Sequence, residues 1–175
     1  ETAAGLASNL GIFDPNWTIE ANFYADHYGL DTISLGTGMA FVCECYELGL
    51  INKENTHGLD LNFGRKDDIM ELLHRIAYGK DEFAVACGKG IEFARGYFAE
   101  HYGSDLETMK KIGMVCQGLE ASEYRCQESI AQWGGYFLTL KGPQHDEAWL
   151  IFMDMVNNMI PTFEKKAEAL HYFPM

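Results

Sequence analysis

Basic side chains are scarce in this chain: 13 Lys and Arg stand against 26 Asp and Glu, a net charge of −13 over 175 residues. A nucleic-acid surface needs clustered cations to displace phosphate counterions. The basic runs here, such as Lys110-Lys111 and Lys165-Lys166, are no longer than two residues, so a nucleic-acid partner is excluded. No apolar stretch approaches the roughly 20 residues that span a bilayer. No repeat, low-complexity tract or linker interrupts the chain. The five cysteines, Cys43, Cys45, Cys87, Cys116 and Cys126, form no CxxC pair. Cys43 and Cys45 are two apart on a predicted helix and project about 200° apart, which does not favour a shared metal. Buried free thiols in a reducing cytoplasm are the expectation for such cysteines.

What is present is enough apolar material for a core. The chain is 47% hydrophobic and 22% charged, a globular composition. Helical patterns cover Ala3–Leu10, Pro15–Tyr28 and Thr32–Leu48, the last stopped by Gly49. An irregular link follows from Leu50 to Phe63, and the alternation across Gly58–Gly64 predicts a short strand. Lys66–Tyr78 places Ile69, Leu72, Leu73 and Ile76 on one face. A single helix is expected over Glu82–Tyr102, closed by Gly103. Ser104-Asp105-Leu106-Glu107 has the form of a capping box. Residues 112–119 are expected to be extended. Gln127–Leu140 is ambiguous because Gly134-Gly135 breaks its pattern. His145–Met159 and Thr162–Tyr172 complete a mainly α architecture. The chain opens on Glu1 without an initiator Met and closes just after an aromatic cluster at Phe173-Pro174-Met175, so a piece of a longer polypeptide is expected.

Asp26-His27-Tyr28-Gly29-Leu30-Asp31-Thr32-Ile33-Ser34 is the most informative stretch. Asp14-Pro15 opens the helix before it as an N-cap with proline at the first position. Gly29 suits the left-handed residue that closes that helix, and Asp31 suits the N-cap of the next. The result is a helix, a tight turn and a helix. Two carboxylates and free backbone amides gather there, a fitting place for a polar, nitrogen-rich, anionic ligand. An ordinary capped turn has the same spacing, and spacing alone does not separate the two.

DHYGLD is similar to the DxxGLD pterin-binding motif of the tungsten-containing aldehyde ferredoxin oxidoreductase family. The surrounding text resembles that family's central domain too: Asn9-Leu10-Gly11-Ile12, Glu20-Ala21-Asn22, Gly29-Leu30-Asp31-Thr32-Ile33-Ser34 and Glu47-Leu48-Gly49. The likeness runs from Glu1 to about Leu119 and is looser to His145. It implies a helical pterin-binding domain over residues 1–119 and the start of a following helical domain over 120–175. It implies a tungsten bis-pterin cofactor, with Asp26 and Asp31 holding the pterin, Gly29 allowing close approach and Leu30 offering its backbone amide. Glu1 and His145 fall on the family's proton-handling glutamate and histidine. A neutral-range pKa suits His145 to that task. The family's [4Fe-4S] cluster uses cysteines outside this segment. The implied partners are a small-molecule substrate and a ferredoxin or iron–sulfur electron-transfer subunit, in an oligomeric cytoplasmic enzyme.

The likeness has departures. Aldehyde-oxidising members lead into the histidine with Arg-Gly-Gly-Cys, whereas this chain reads Lys141-Gly142-Pro143-Gln144-His145 and, upstream, Glu123-Tyr124-Arg125-Cys126-Gln127-Glu128. This text, with Ala148-Trp149-Leu150 downstream, looks closest to the active-site subunit of class II benzoyl-CoA reductase, which reduces the aromatic ring of benzoyl-CoA to a cyclic dienoyl-CoA with low-potential electrons. In that branch a cysteine thiolate ligates tungsten, and Cys126 is the candidate, since a soft ligand suits a reduced metal. Trp133, Tyr136, Phe137 and Trp149 are candidates to line a water-poor pocket. Oxidation of aldehydes to carboxylic acids is the alternative. Two Glu-x-x-His pairs, Glu71/His74 and Glu168/His171, raise a further alternative, a di-iron helical bundle. A non-catalytic acidic helical interaction module is the last.

Overall fold

In the computed structural model, residues 2–124, 129–139, 142–143, 150–156 and 163–172 are described. Glu1, Cys126, His145 and Trp149 lie outside them. The described residues form ten α-helices, one 3₁₀ turn and one hairpin: α1 (Thr2–Gly5), the 3₁₀ turn (Ser8–Leu10), α2 (Pro15–Tyr28), α3 (Thr32–Glu47), α4 (Lys66–Tyr78), α5 (Glu82–Gly88), α6 (Ile91–Tyr102), α7 (Leu106–Ile112), β1 (Val115–Cys116), β2 (Leu119–Glu120), α8 (Ile130–Leu138), α9 (Ile151–Met155) and α10 (Glu164–Tyr172). None of these helices is long and apolar enough to cross a membrane.

α3 is the central element. Leu35, Gly36, Thr37, Met39, Phe41, Val42, Cys43 and Cys45 are all buried, as expected of a helix surrounded by others. α4 brings Ile69, Leu72 and Leu73 to the same core, and Phe83 and Phe98 stack there at 5.5 Å. α2 is tied to α4 by Trp17, whose indole N–H donates to the Lys66 carbonyl at 2.9 Å. A smaller cluster of Cys116, Ala121 and Tyr136 holds the hairpin against α8. Beyond it, a buried Asp154 on α9 accepts from Ser129 Oγ and pairs with the buried Lys166 ammonium of α10. Such a pair is a register device more than a source of stability.

α2 and α4 match their sequence patterns to the residue, because each carries an explicit stop. Gly29 and Gly79 adopt left-handed φ of 69° and 58° and close the two helices. Four expectations need correction. Ala3–Leu10 is not one helix but α1 followed by the 3₁₀ turn. The expected helix over Glu82–Tyr102 is broken at Lys89-Gly90, where Gly90 takes φ 89°. The expected strand at Gly58–Gly64 is absent: Leu59 and Leu61 are buried as the alternation implied, but no neighbouring strand completes a ladder. Asp105, not Ser104, caps α7, accepting from the Glu107 and Thr108 amides, while Ser104 Oγ donates to the Leu50 carbonyl. Gly134-Gly135 does not interrupt α8. Ala131, Gln132, Gly135 and Tyr136 form its buried stripe, and that packing outweighs the roughly 1 kcal/mol propensity cost per glycine.

Cys43 and Cys45 are buried free thiols. Burial, with Glu47 adding to it at Cys43 and Glu44 at Cys45, pushes both up to about 12. Since the thiolate is the nucleophile, both should stay unalkylated by iodoacetamide at pH 8 in the folded protein and react fully in denaturant. Mass spectrometry of tryptic peptides reads this directly, and rapid labelling of either thiol without denaturant would contradict the packing.

Candidate functional site

The helix–turn–helix at Asp26–Ser34 forms as its residues dictate. Asp14 opens α2 by accepting from Asn16 and Trp17. At the other end the Gly29 and Leu30 amides both turn back, Leu30 donating to the Ala25 carbonyl at 2.8 Å. That is the double closure of a Schellman-type stop. Asp31 then caps α3, its Oδ2 accepting from Ser34 at 2.8 Å. The Thr32 and Ile33 amides have no partner among the described residues. Asp31 itself is exposed. The Leu30 amide is therefore engaged within the chain.

A cleft of about 230 Å³ opens at this turn. Leu30, Asp31 and Ser34 line it, together with Gly88, Lys89 and Gly90, where the expected long helix breaks, and Gly118 and Glu120 of the hairpin. Lys89 is exposed at the rim, its ammonium 4.4 Å from the Phe93 ring. Gly29 has nothing within 4 Å of a Cβ position and keeps the turn open to close approach. Asp26 is exposed in the last turn of α2 and does not line the cleft.

The end of α1 packs on α3 through two glycines, Gly5 and Gly36. A Cβ on Gly36 would lie 2.7 Å from the Gly5 carbonyl carbon, so α1 and α3 touch backbone to backbone. A Cβ on Gly5 would fall 3.5 Å from the Thr32 carbonyl oxygen and meet Glu123 Oε1. Thr37 Oγ1 donates to the Ala121 carbonyl at 2.9 Å, locking the 121–124 segment onto α3. The helix that Asp31 caps thus carries the cleft on one side. On another it carries the segments that adjoin Glu1 and Cys126 in sequence.

Of the aromatic residues expected near His145, Trp149 lies outside the described residues, as His145 does, and the other three differ in their surroundings. Tyr136 is fully buried, its hydroxyl 2.8 Å from Ser122 Oγ, and belongs to the smaller core. Trp133 packs on that core, and Phe137 is more than half exposed. The di-iron alternative fails. Glu71 is taken by Arg75 at 2.8 Å and Lys80 at 3.0 Å, and His74 Nδ1 lies 3.0 Å from the Tyr28 hydroxyl. No group of three or more metal-ligating side chains occurs among the described residues.

Lys89, Gly118 and Glu120 are the cleft residues that sequence reasoning missed. The signal for them was the Gly88-Lys89-Gly90 triplet inside an apparent helix, and the Gln117-Gly118 pair. Both of that pair take positive φ, 54° and 82°, as a two-residue type I′ hairpin turn requires.

The described residues thus form a mainly helical unit in which an Asp-capped turn opens into a polar cleft. The family profile described as "Aldehyde ferredoxin oxidoreductase, domains 2 & 3" matches residues 1–175, and the chain belongs to this family. It is 44% identical over 154 residues to the tungsten-containing aldehyde ferredoxin oxidoreductase of Pyrococcus horikoshii, covering 86% of this chain and 24% of that protein. It is 37% identical over 149 residues to the aliphatic sulfonate oxidoreductase WOR-like subunit of Pyrococcus furiosus, covering 83% and 23%. The chain thus spans about a quarter of the length of the curated relatives it matches. Family membership overturns the alternative of a non-catalytic interaction module.

Proposed function

We propose that this chain forms one wall of the pterin site of a tungsten-dependent oxidoreductase and carries two of its proton-handling groups. The observation that supports this is the Asp31 cleft. An aminopyrimidine edge presents N–H donors, and an exposed carboxylate on a helix cap is a strong acceptor for them. The unpaired Thr32 and Ile33 amides and Lys89 suit the anionic end of such a ligand. The donor set fits a pterin, so Asp31 is its acceptor, Gly29 keeps the approach clear and Leu30 packs against it. Asp26, in the last turn of α2, is a second acceptor on this reading. Residues 1–119, which hold the large core, form the pterin-binding unit, and residues 120–175 begin the unit that carries His145. When bound, a tungsten bis-pterin supplies two-electron redox chemistry, and the protein binds and orients it. Glu1 and His145 hold and move the protons that accompany those electrons. A [4Fe-4S] cluster outside this segment and a ferredoxin or iron–sulfur subunit carry the electrons.

Oxidation of an aldehyde to a carboxylic acid is the substrate reading that the identity to the aldehyde enzymes supports. Reduction of the benzoyl-CoA ring is the second reading, favoured by the Glu123–Glu128 and Lys141–Glu147 text and by Cys126 as a thiolate ligand. Oxygen-free assays of the full-length enzyme with viologen dyes decide between them. Turnover of simple aldehydes alone supports the first. Turnover of benzoyl-CoA with reduced viologen, and none of aldehydes, supports the second and refutes the first. In either case His145→Ala should lose about 10²–10⁴-fold in kcat, the usual range for a proton-transfer group. It should retain tungsten, and unchanged turnover would remove His145 from the proton path.

A further inference from the structure

Glu120 stands out among the buried acids. It is 6% exposed, at the end of β2, and its Oε1 accepts from the Ile91 amide at 2.7 Å. Ile91 is the first residue of α6, and the position before it is Gly90, which has no side chain with which to cap. Glu120 therefore caps a helix from a distant strand. Gly90 makes room for this, since a Cβ there would sit 2.7 Å from Glu120 Oε1. Only one oxygen is spent. Oε2 has no partner among the described residues and is not sealed from solvent, and Glu120 lines the same cleft as Asp31. A carboxylate held in this way faces little reorganisation when a donor arrives, because its orientation is already fixed.

We propose that Glu120 is a second, pre-positioned acceptor in the Asp31 cleft, taking an N–H of the heterocycle bound there while its other oxygen clamps the Gly90–Ile91 wall. This rests on the pterin reading of the cleft. It gives the cleft two carboxylates, those of Asp31 and Glu120, with the exposed Lys89 beside them. A site so built selects a flat ligand with donors on more than one edge. An acid such as an aldehyde's product, which carries only acceptors and a negative charge, is repelled.

Two conservative variants of the full-length enzyme test the idea, with release of the pterin from the anaerobically purified holoenzyme as the readout. Glu120→Gln keeps an acceptor oxygen for Ile91 but loses the charge and turns one oxygen into a donor. It should release pterin at least tenfold faster than the parent. The Ile91 amide should keep its hydrogen-exchange protection within about threefold, since an amide oxygen still caps α6. Asp31→Asn is the control for the reading beneath. Fast release from Asp31→Asn together with parental release from Glu120→Gln would overturn the Glu120 proposal alone. Parental release from both would remove the cleft as the pterin site. Fast release from Glu120→Gln with loss of Ile91 protection would show a purely structural cap, and would also overturn the proposal. If Glu120→Gln does not accumulate folded, Glu120→Asp serves: it keeps the charge but withdraws it, and release at the parental rate would be the overturning result.

Discussion

Asp31→Ala should strip the pterin from the full-length enzyme while leaving its fold nearly intact. The fold cost is that of one N-cap. Asp31 takes a single amide, that of Ser34, at an exposed position, and losing such a cap costs about 1 kcal/mol. A family enzyme of ordinary stability survives that loss. The ligand cost is larger. A hydrogen bond to a charged group contributes about 1.5–3 kcal/mol, which corresponds to roughly ten- to hundredfold in affinity. Removing the carboxylate also leaves the Ser34 amide without its acceptor, beside the Thr32 and Ile33 amides that already lack one. Pterin fluorescence released on denaturation, compared with protein concentration, measures the occupancy. A circular dichroism melt within a few degrees of the parent checks the fold. Full occupancy in a folded Asp31→Ala protein would place the pterin elsewhere.

Gly36→Ala should be the most damaging small substitution in this segment. The added methyl carbon would lie 2.7 Å from the Gly5 carbonyl carbon and 2.8 Å from its Cα and oxygen. These are backbone atoms that cannot rotate aside, so α1 must move off α3. Overpacking of this kind costs about 1–3 kcal/mol. Its consequence reaches the site, because α1 begins at Thr2, directly after Glu1. Gly38, two residues on in the same helix, has nothing within 4 Å of its Cβ position. Gly38→Ala should therefore stabilise by about 0.5–1 kcal/mol, the helix-propensity gain alone. The pair gives opposite signs from one chemical change. Thermal midpoints of the two holoenzymes, with turnover of the preferred substrate alongside, make the comparison. Equal midpoints would show that α1 and α3 do not touch as described.

The fold was readable where the chain states its own stops. Asp14-Pro15, Gly29, Asp31 and Gly79 fixed α2, α3 and α4, since capping chemistry is local and needs no partner. It was unreadable where a distant group decides. At the break, Glu120, 29 residues beyond Ile91, supplies the cap that Gly90 lacks, and nothing in the 82–102 pattern points to that. Leu59 and Leu61 alternate as a strand would, yet strands are made by neighbours. The site divides in the same way. The turn that holds Asp31 was legible as a motif, whereas the rest of the cleft lining comes mainly from two separate segments, 88–90 and 118–120, and emerged only when they were placed together. The Leu30 amide shows a motif residue whose expected role is taken by the fold itself, because closing α2 consumes it. In the aromatic run of α8, Tyr136 packs inward on Ser122, a partner that the local pattern does not name.

Elemental and pterin analysis of the full-length protein purified without oxygen tests the central claim most directly. The account predicts tungsten and about two releasable pterins per metal, both lost together in Asp31→Ala. A folded protein that carries neither tungsten nor pterin when produced with both available would contradict it.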